Sequence, residues 1–183
     1  MGASCSNIEE VMQNDKFFKD FKDTSLTLDD GILLKRSFHS LAKQSMAIGS
    51  ICEQRLIQEM PEAAAILNVN DNGQQINRPA SRFNSTIGQG VIFMKGIGLF
   101  VSFSTDPVKM KQCCDRLAKK HVERYNLTPS RMAYALHLAE PIFIEQALGS
   151  NYRGDKDDLL ISWKKLFKNV KDIFLSIDKE VQE

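Results

Sequence analysis

Two helix starts, Asp106-Pro107 and Thr128-Pro129, constrain this chain more than anything else in it. At each, a side chain able to accept from free backbone N–H groups takes the N-cap. A proline follows at the first helical position, where its missing N–H costs nothing and its fixed φ suits the helix. Between them Met110, Cys113, Cys114, Leu117 and His121 follow one another at three- and four-residue steps. That spacing puts all five on one apolar helix face, with His121 close to the end of the helix.

The same grammar extends through the chain. Thr27 with Asp30 three residues later is a variant capping box, followed by Leu33, Leu34, Phe38 and Leu41 at helical spacing. Residues 45–60 read as a second helix ending before Pro61, and Pro61 to Leu67 as a short helix. Asn68 to Ala80, with Asn70-Asp71-Asn72-Gly73 and Pro79, reads as a loop. Arg82 to Phe103 is helical and glycine-rich, its glycines letting neighbouring helices approach. The helix from Pro129 runs to Leu148, with Gly149 suited to a left-handed C-terminal position and Pro141 expected to kink it. The last helix spans about Asp155 to Asp178, with Leu159, Trp163, Leu166, Phe167, Val170 and Phe174 on one side. With no segment patterned as a strand, the expected class is all-α, with seven to eight helices.

Composition narrows the function. A net charge of +1 over 183 residues offers nucleic acid no basic surface. No apolar run approaches the roughly 20 residues that span a bilayer, and no secretory signal is visible. A cytosolic setting follows, with Cys5, Cys52, Cys113 and Cys114 expected as thiols. The segment Met1-Gly2-Ala3-Ser4-Cys5-Ser6 fits the N-myristoylation pattern at Gly2, and Cys5 is placed for palmitoylation. A single myristoyl chain binds membranes only marginally, so the pair is what stable anchoring requires. Residues 1–26 are therefore expected to be an acylated extension and residues 27–183 the folded domain. Lys16, Lys19 and Lys22 are balanced by Asp15, Asp20 and Asp23 and make no polybasic patch.

On pattern alone His121 admits two readings. A lone histidine on an apolar face is usually a satisfied core residue; a neutral imidazole fixed there is also what a haem iron requires as its axial ligand. His39 and His137 read as structural or surface residues.

From about residue 28 to 178 the chain resembles the globins, particularly neuroglobin-like and nematode-type ones. The resemblance rests on order and spacing: Leu34-Lys35-Arg36-Ser37-Phe38-His39-Ser40-Leu41 as the A helix and Gly49 as the B-helix glycine where B and E helices cross. Pro61 matches the start of the C helix, Leu117 and His121 the leucine and proximal histidine of the F helix, and Trp163 with Phe167 the H-helix aromatics. This implies a globin fold around b-type haem, with His121 as iron ligand and Gln89, Phe93, Leu67, Leu117, Leu127 and Met132 against the cofactor.

The distal side departs from the usual pattern. Gln89 stands where a distal histidine is normal; it can donate an N–H to a ligand but does not normally ligate iron. Phe93 takes a position usually held by valine and should crowd the sixth coordination site. Leu67 replaces an aromatic residue, and Glu53 aligns with the B-helix residue that faces the ligand, a poor tenant for an apolar cavity; a slip of one residue would put Cys52 or Gln54 there instead. The expected function is binding of dioxygen or another diatomic ligand (NO, CO) at a membrane-tethered haem. Gas sensing, local electron transfer with an unidentified reductase, or NO chemistry suit it better than bulk storage, and enzymatic activity is left open. The rival expectation is a non-haem globin-fold adaptor at the membrane, with a filled pocket.

Overall fold

A computed structural model describes residues 25–60, 86–149, 152 and 154–182. Among these residues there are six α-helices and no strand: α1 (Leu28–Ala42), α2 (Ser45–Glu59), α3 (Thr86–Ser102), α4 (Pro107–Tyr125), α5 (Pro129–Gly149) and α6 (Lys156–Gln182). The all-α expectation holds. The short helix and loop expected between Pro61 and Ala80 lie outside the described residues, as does the N-terminal segment with Gly2 and Cys5.

The helix starts fall where the caps place them. Thr27 accepts from the Asp30 N–H at 3.1 Å, and the Asp30 carboxylate accepts from the Thr27 N–H at 2.9 Å, closing a capping box. Asp106 Oδ1 accepts from the Lys109 N–H at 3.0 Å, with Pro107 at the first helical position. α4 ends on Asn126, the one non-glycine residue with positive φ among those described (φ 52°, ψ 34°). There the Asn126 N–H donates to the Val122 carbonyl at 3.0 Å and the Leu127 N–H to the His121 carbonyl at 3.3 Å. Asparagine tolerates this left-handed region better than most residues. Gly149 departs from its expected role: it closes α5 as a helical residue and does not enter the left-handed region. α5 runs through Pro141 as one helix.

α6 packs along α5 and against α1 and α4, while α2 packs on α3 and α5. Trp163, Phe143, Phe167 and Phe174 are fully buried at the centre, with Trp163 and Phe167 ring centroids 5.9 Å apart. The Trp163 indole N–H donates to Ser37 Oγ at 3.1 Å, so the largest core side chain has its polar edge satisfied. Asp30 joins α1 to α6 as well, accepting from the Ser162 hydroxyl at 2.7 Å and the Lys165 ammonium at 3.0 Å. A second buried pair, Lys171 with Glu140 at 2.6 Å, ties α6 to α5.

α2 and α3 meet at glycine. A Cβ built on Gly49 would lie 2.5 Å from the Gly90 carbonyl carbon, and one on Gly90 would lie 2.8 Å from the Gly49 carbonyl carbon. The two backbones touch with no room for a side chain on either. Of the described glycines of α3, Gly90 is the backbone-to-backbone contact. Gly98 receives the Phe38 ring, and a Cβ on Gly96 would meet nothing within 4 Å.

Candidate functional site

The crossing at Gly49 and Gly90 sets where α2 and α3 diverge, and a cavity of about 240 Å³ opens beyond it. One buried water needs roughly 10–15 Å³ of such space, so the cavity is of ligand size. Leu56 and Met60 of α2, and Phe93, Ile97 and Phe100 of α3, line it. Leu117, His121 and Tyr125 come from α4, Leu127 and Met132 from the start of α5 and the turn before it, and Phe174 from α6. Ile92 and Tyr125 line it while staying 46% and 43% exposed, which places its mouth between α3 and the end of α4.

Only one lining side chain carries a basic nitrogen. His121 Nδ1 lies 2.8 Å from the Leu117 carbonyl oxygen. A carbonyl only accepts, so Nδ1 carries a proton, and in the neutral ring Nε2 then holds the lone pair. The ring is thus held by its own helix in the tautomer that can donate electrons to a metal. The cap at Asn126 holds the His121 carbonyl from the other side through the Leu127 N–H, and Leu127 itself lines the cavity.

Of the residues expected against a cofactor, the structure brings His121, Phe93, Leu117, Leu127 and Met132 to one cavity. Gln89 lies within α3 one residue before Gly90, but its side chain falls outside the described residues, as does Leu67. His39 is exposed, and His137 stacks on Tyr134 with centroids 6.2 Å apart; neither lines the cavity. Leu56, Met60, Ile97, Phe100 and Phe174 were not singled out beforehand as lining residues. Helical spacing marked Phe174 as apolar, but apolar spacing does not separate a core position from a cavity wall.

Glu53 is the anomaly. It is 2% exposed, and neither carboxylate oxygen has a hydrogen-bond partner. Burial pushes its carboxyl up to about 8. Neighbouring Cys52 is a buried thiol pushed to about 12 by burial and by the Glu53 charge. Cys113 and Cys114 are likewise free and buried.

The lining offers one nitrogen donor, His121, in a mostly apolar wall. Among the described residues no group of three or more His, Cys, Asp or Glu side chains is placed to hold a metal. A metal bound at His121 would need ligands beyond the described lining, and a porphyrin would supply them. No described helix is long and apolar enough to cross a membrane. No protein-family model and no curated protein matches this chain.

Proposed function

We propose that this chain is a globin that holds b-type haem through His121 Nε2, tethered to a membrane by acylation of Gly2 and Cys5. The observation that carries the reading is the His121 imidazole on the wall of an apolar cavity, its Nδ1–H donated to the Leu117 carbonyl at 2.8 Å. The contact of Gly49 with Gly90 supports it, because it puts α2 and α3 in the close crossing expected of globin B and E helices. Under this reading Gln89 and Phe93, one residue before and three after Gly90, take the distal positions.

Bound haem would supply an iron that takes up a diatomic ligand and exchanges electrons. The residues of this chain have separable tasks around it. His121 would offer a bound iron its Nε2, while Leu117 fixes the ring's rotation and raises its basicity through the shared proton. Leu56, Ile97, Phe100 and Leu127 exclude water from the cavity, which keeps a polar or charged species there costly. Phe93, packed on Phe143 with centroids 6.3 Å apart, takes up space on the α3 side and restricts ligand entry. Gln89 would offer an amide N–H to the ligand. A tethered protein suits sensing or local redox and NO chemistry better than bulk storage.

The test is the ultraviolet–visible spectrum of wild type and His121→Ala after haem titration. A Soret band in wild type that is lost in the variant is the expected result. A wild type that takes up no haem would sink the reading in favour of the non-haem adaptor. Metabolic labelling with a myristate analogue, lost in Gly2→Ala, tests the tether.

A further inference from the structure

The near-neutral total charge of this chain hides an uneven distribution. α4 carries Lys109, Lys111, Arg116, Lys119, Lys120 and Arg124 against Asp115 and Glu123, a surplus of four positive charges. The whole chain has a surplus of one, so everything outside α4 is net acidic by three. No other described helix has a surplus above one. All six cations of α4 are exposed.

The helix sorts these charges by face. Met110, Cys114 and Ala118 pack into the core. At 3.6 residues per turn the side opposite them holds Val108, Gln112, Arg116, Lys119 and Glu123. Lys109 and Lys120 flank that side on one edge, Asp115 and Val122 on the other. Val108 is 65% exposed and Val122 42%, so apolar side chains stand among the cations on the outward half of the helix. The cations are not committed elsewhere. Lys119 comes no closer than 3.9 Å to the Glu123 carboxylate, an exposed pair of the kind that contributes little, and Arg116 reaches only the Gln112 carbonyl of its own helix.

We infer that the outward face of α4 is the surface this protein lays along an anionic lipid bilayer. A helix of 19 residues is about 28 Å long and presents a line of charge, which suits an extended sheet of headgroups better than one small anion. Acidic headgroups attract the cations, while Val108 and Val122 enter the boundary between headgroups and acyl chains. The net acidity of the rest of the chain opposes any other orientation on such a surface. The inference deepens the membrane reading above, but it needs neither haem nor an acyl chain.

The experiment uses the full chain carrying Gly2→Ala and Cys5→Ala, so that neither acylation can hold it to lipid. Binding is measured by sedimentation with vesicles of phosphatidylcholine alone, or with about 30% phosphatidylserine added. The chain should bind the acidic vesicles and not the neutral ones, and should be released as salt rises. Each cation near such a surface is worth about fivefold, so Arg116→Gln, Lys119→Gln and Lys120→Gln together should weaken binding about 100-fold. Lys35→Gln, Arg36→Gln and Lys43→Gln remove the same charge from the exposed surface of α1 and should change it less than about fivefold. Val108→Ser with Val122→Ser should weaken it severalfold and leave its salt dependence unchanged. All these side chains are exposed, so thermal melts of each variant should match the parent chain. Equal losses from the α1 and α4 triple variants would show attraction to total charge alone and overturn the inference. An α4 triple variant that binds like its parent would overturn it too. So would a parent indifferent to phosphatidylserine, which would leave α4 to solvent or to an acidic protein partner. None of these outcomes bears on the Soret band or the myristate label, so this inference and the function proposed above fail separately.

Discussion

The contact between Gly49 and Gly90 makes a quantitative demand that can be met or missed. In Gly49→Ala the new methyl would stand 2.5 Å from both the carbonyl carbon and the oxygen of Gly90. Neither atom belongs to a side chain that could turn aside. Reaching an ordinary contact of about 3.4 Å requires the helices to part by about 0.9 Å, and gaps of 0.5–1 Å forfeit a quarter to a half of each dispersion contact they open. The contacts at risk are those of Ile48, Cys52, Met94 and Ile97, all at most 2% exposed on the two helices. Overpacking of this kind costs about 1–3 kcal/mol, whereas alanine gains about 1 kcal/mol of helix propensity over glycine. Backbone-on-backbone overlap belongs at the upper end, so the net loss should be about 2 kcal/mol. For a chain of this length that is a Tm lower by roughly 4–8 °C. Thermal melts followed by circular dichroism read it directly, with urea titration as a second measure. Gly96→Ala is the control: its Cβ meets nothing within 4 Å, so the same change there should stabilise by up to about 1 kcal/mol. If Gly49→Ala melted at or above wild type, the close crossing, and with it the alignment of Gln89 and Phe93, would be refuted.

Asp30 should give the fold an acid-sensitive term. Burial raises its carboxyl, but the Thr27 N–H, the Ser162 hydroxyl and Lys165 outweigh burial and hold it at about 2 against an ordinary 3.8. A depressed folded value means stability present above 3.8 and lost as pH falls from there towards 2. The amount is about 2 kcal/mol, and urea midpoints of Asp30→Asn beside wild type should converge over that window. Glu140→Ala leaves the 1%-exposed Lys171 side chain without the carboxylate 2.6 Å away, which should cost about 3–5 kcal/mol by chemical denaturation. Replacing Lys171 as well, in Glu140→Leu with Lys171→Met, should recover most of that loss.

Local chemistry was the most readable part of this chain. The cap residues Thr27 and Asp106 predict the starts of α1 and α4, and the apolar stripe from Met110 to His121 predicts the buried face, whose last members Leu117 and His121 line the cavity. Trp163 and its neighbours at three- and four-residue steps read correctly as core. What escaped was set by partners distant in sequence. Four glycines in one helix look alike until Gly90 meets Gly49. Nothing local marks Lys171 as buried, because its carboxylate lies 31 residues away on another helix. Gly149 looked like the left-handed cap residue, but Asn126 takes that conformation where the chain turns from α4 towards α5. Glu53 was legible as an oddity, though its complete lack of partners could be seen only with its surroundings in place.

The bonds that close α1 on α6 also set a timetable. Ser37 waits 126 residues for the indole of Trp163, and Asp30 waits 132 for Ser162. At synthesis rates of about 5–20 residues per second, the first helix is made roughly ten seconds before its partner exists. The α2–α3 and α5–α6 pairs can form as they emerge and α1 can pack on α3, but the α1 contacts made through Ser37 and Asp30 wait until α6 leaves the ribosome. The domain therefore closes only once α6 is made, and a chain that stalls before α6 leaves the Ser37 and Asp30 side of α1 without its partners.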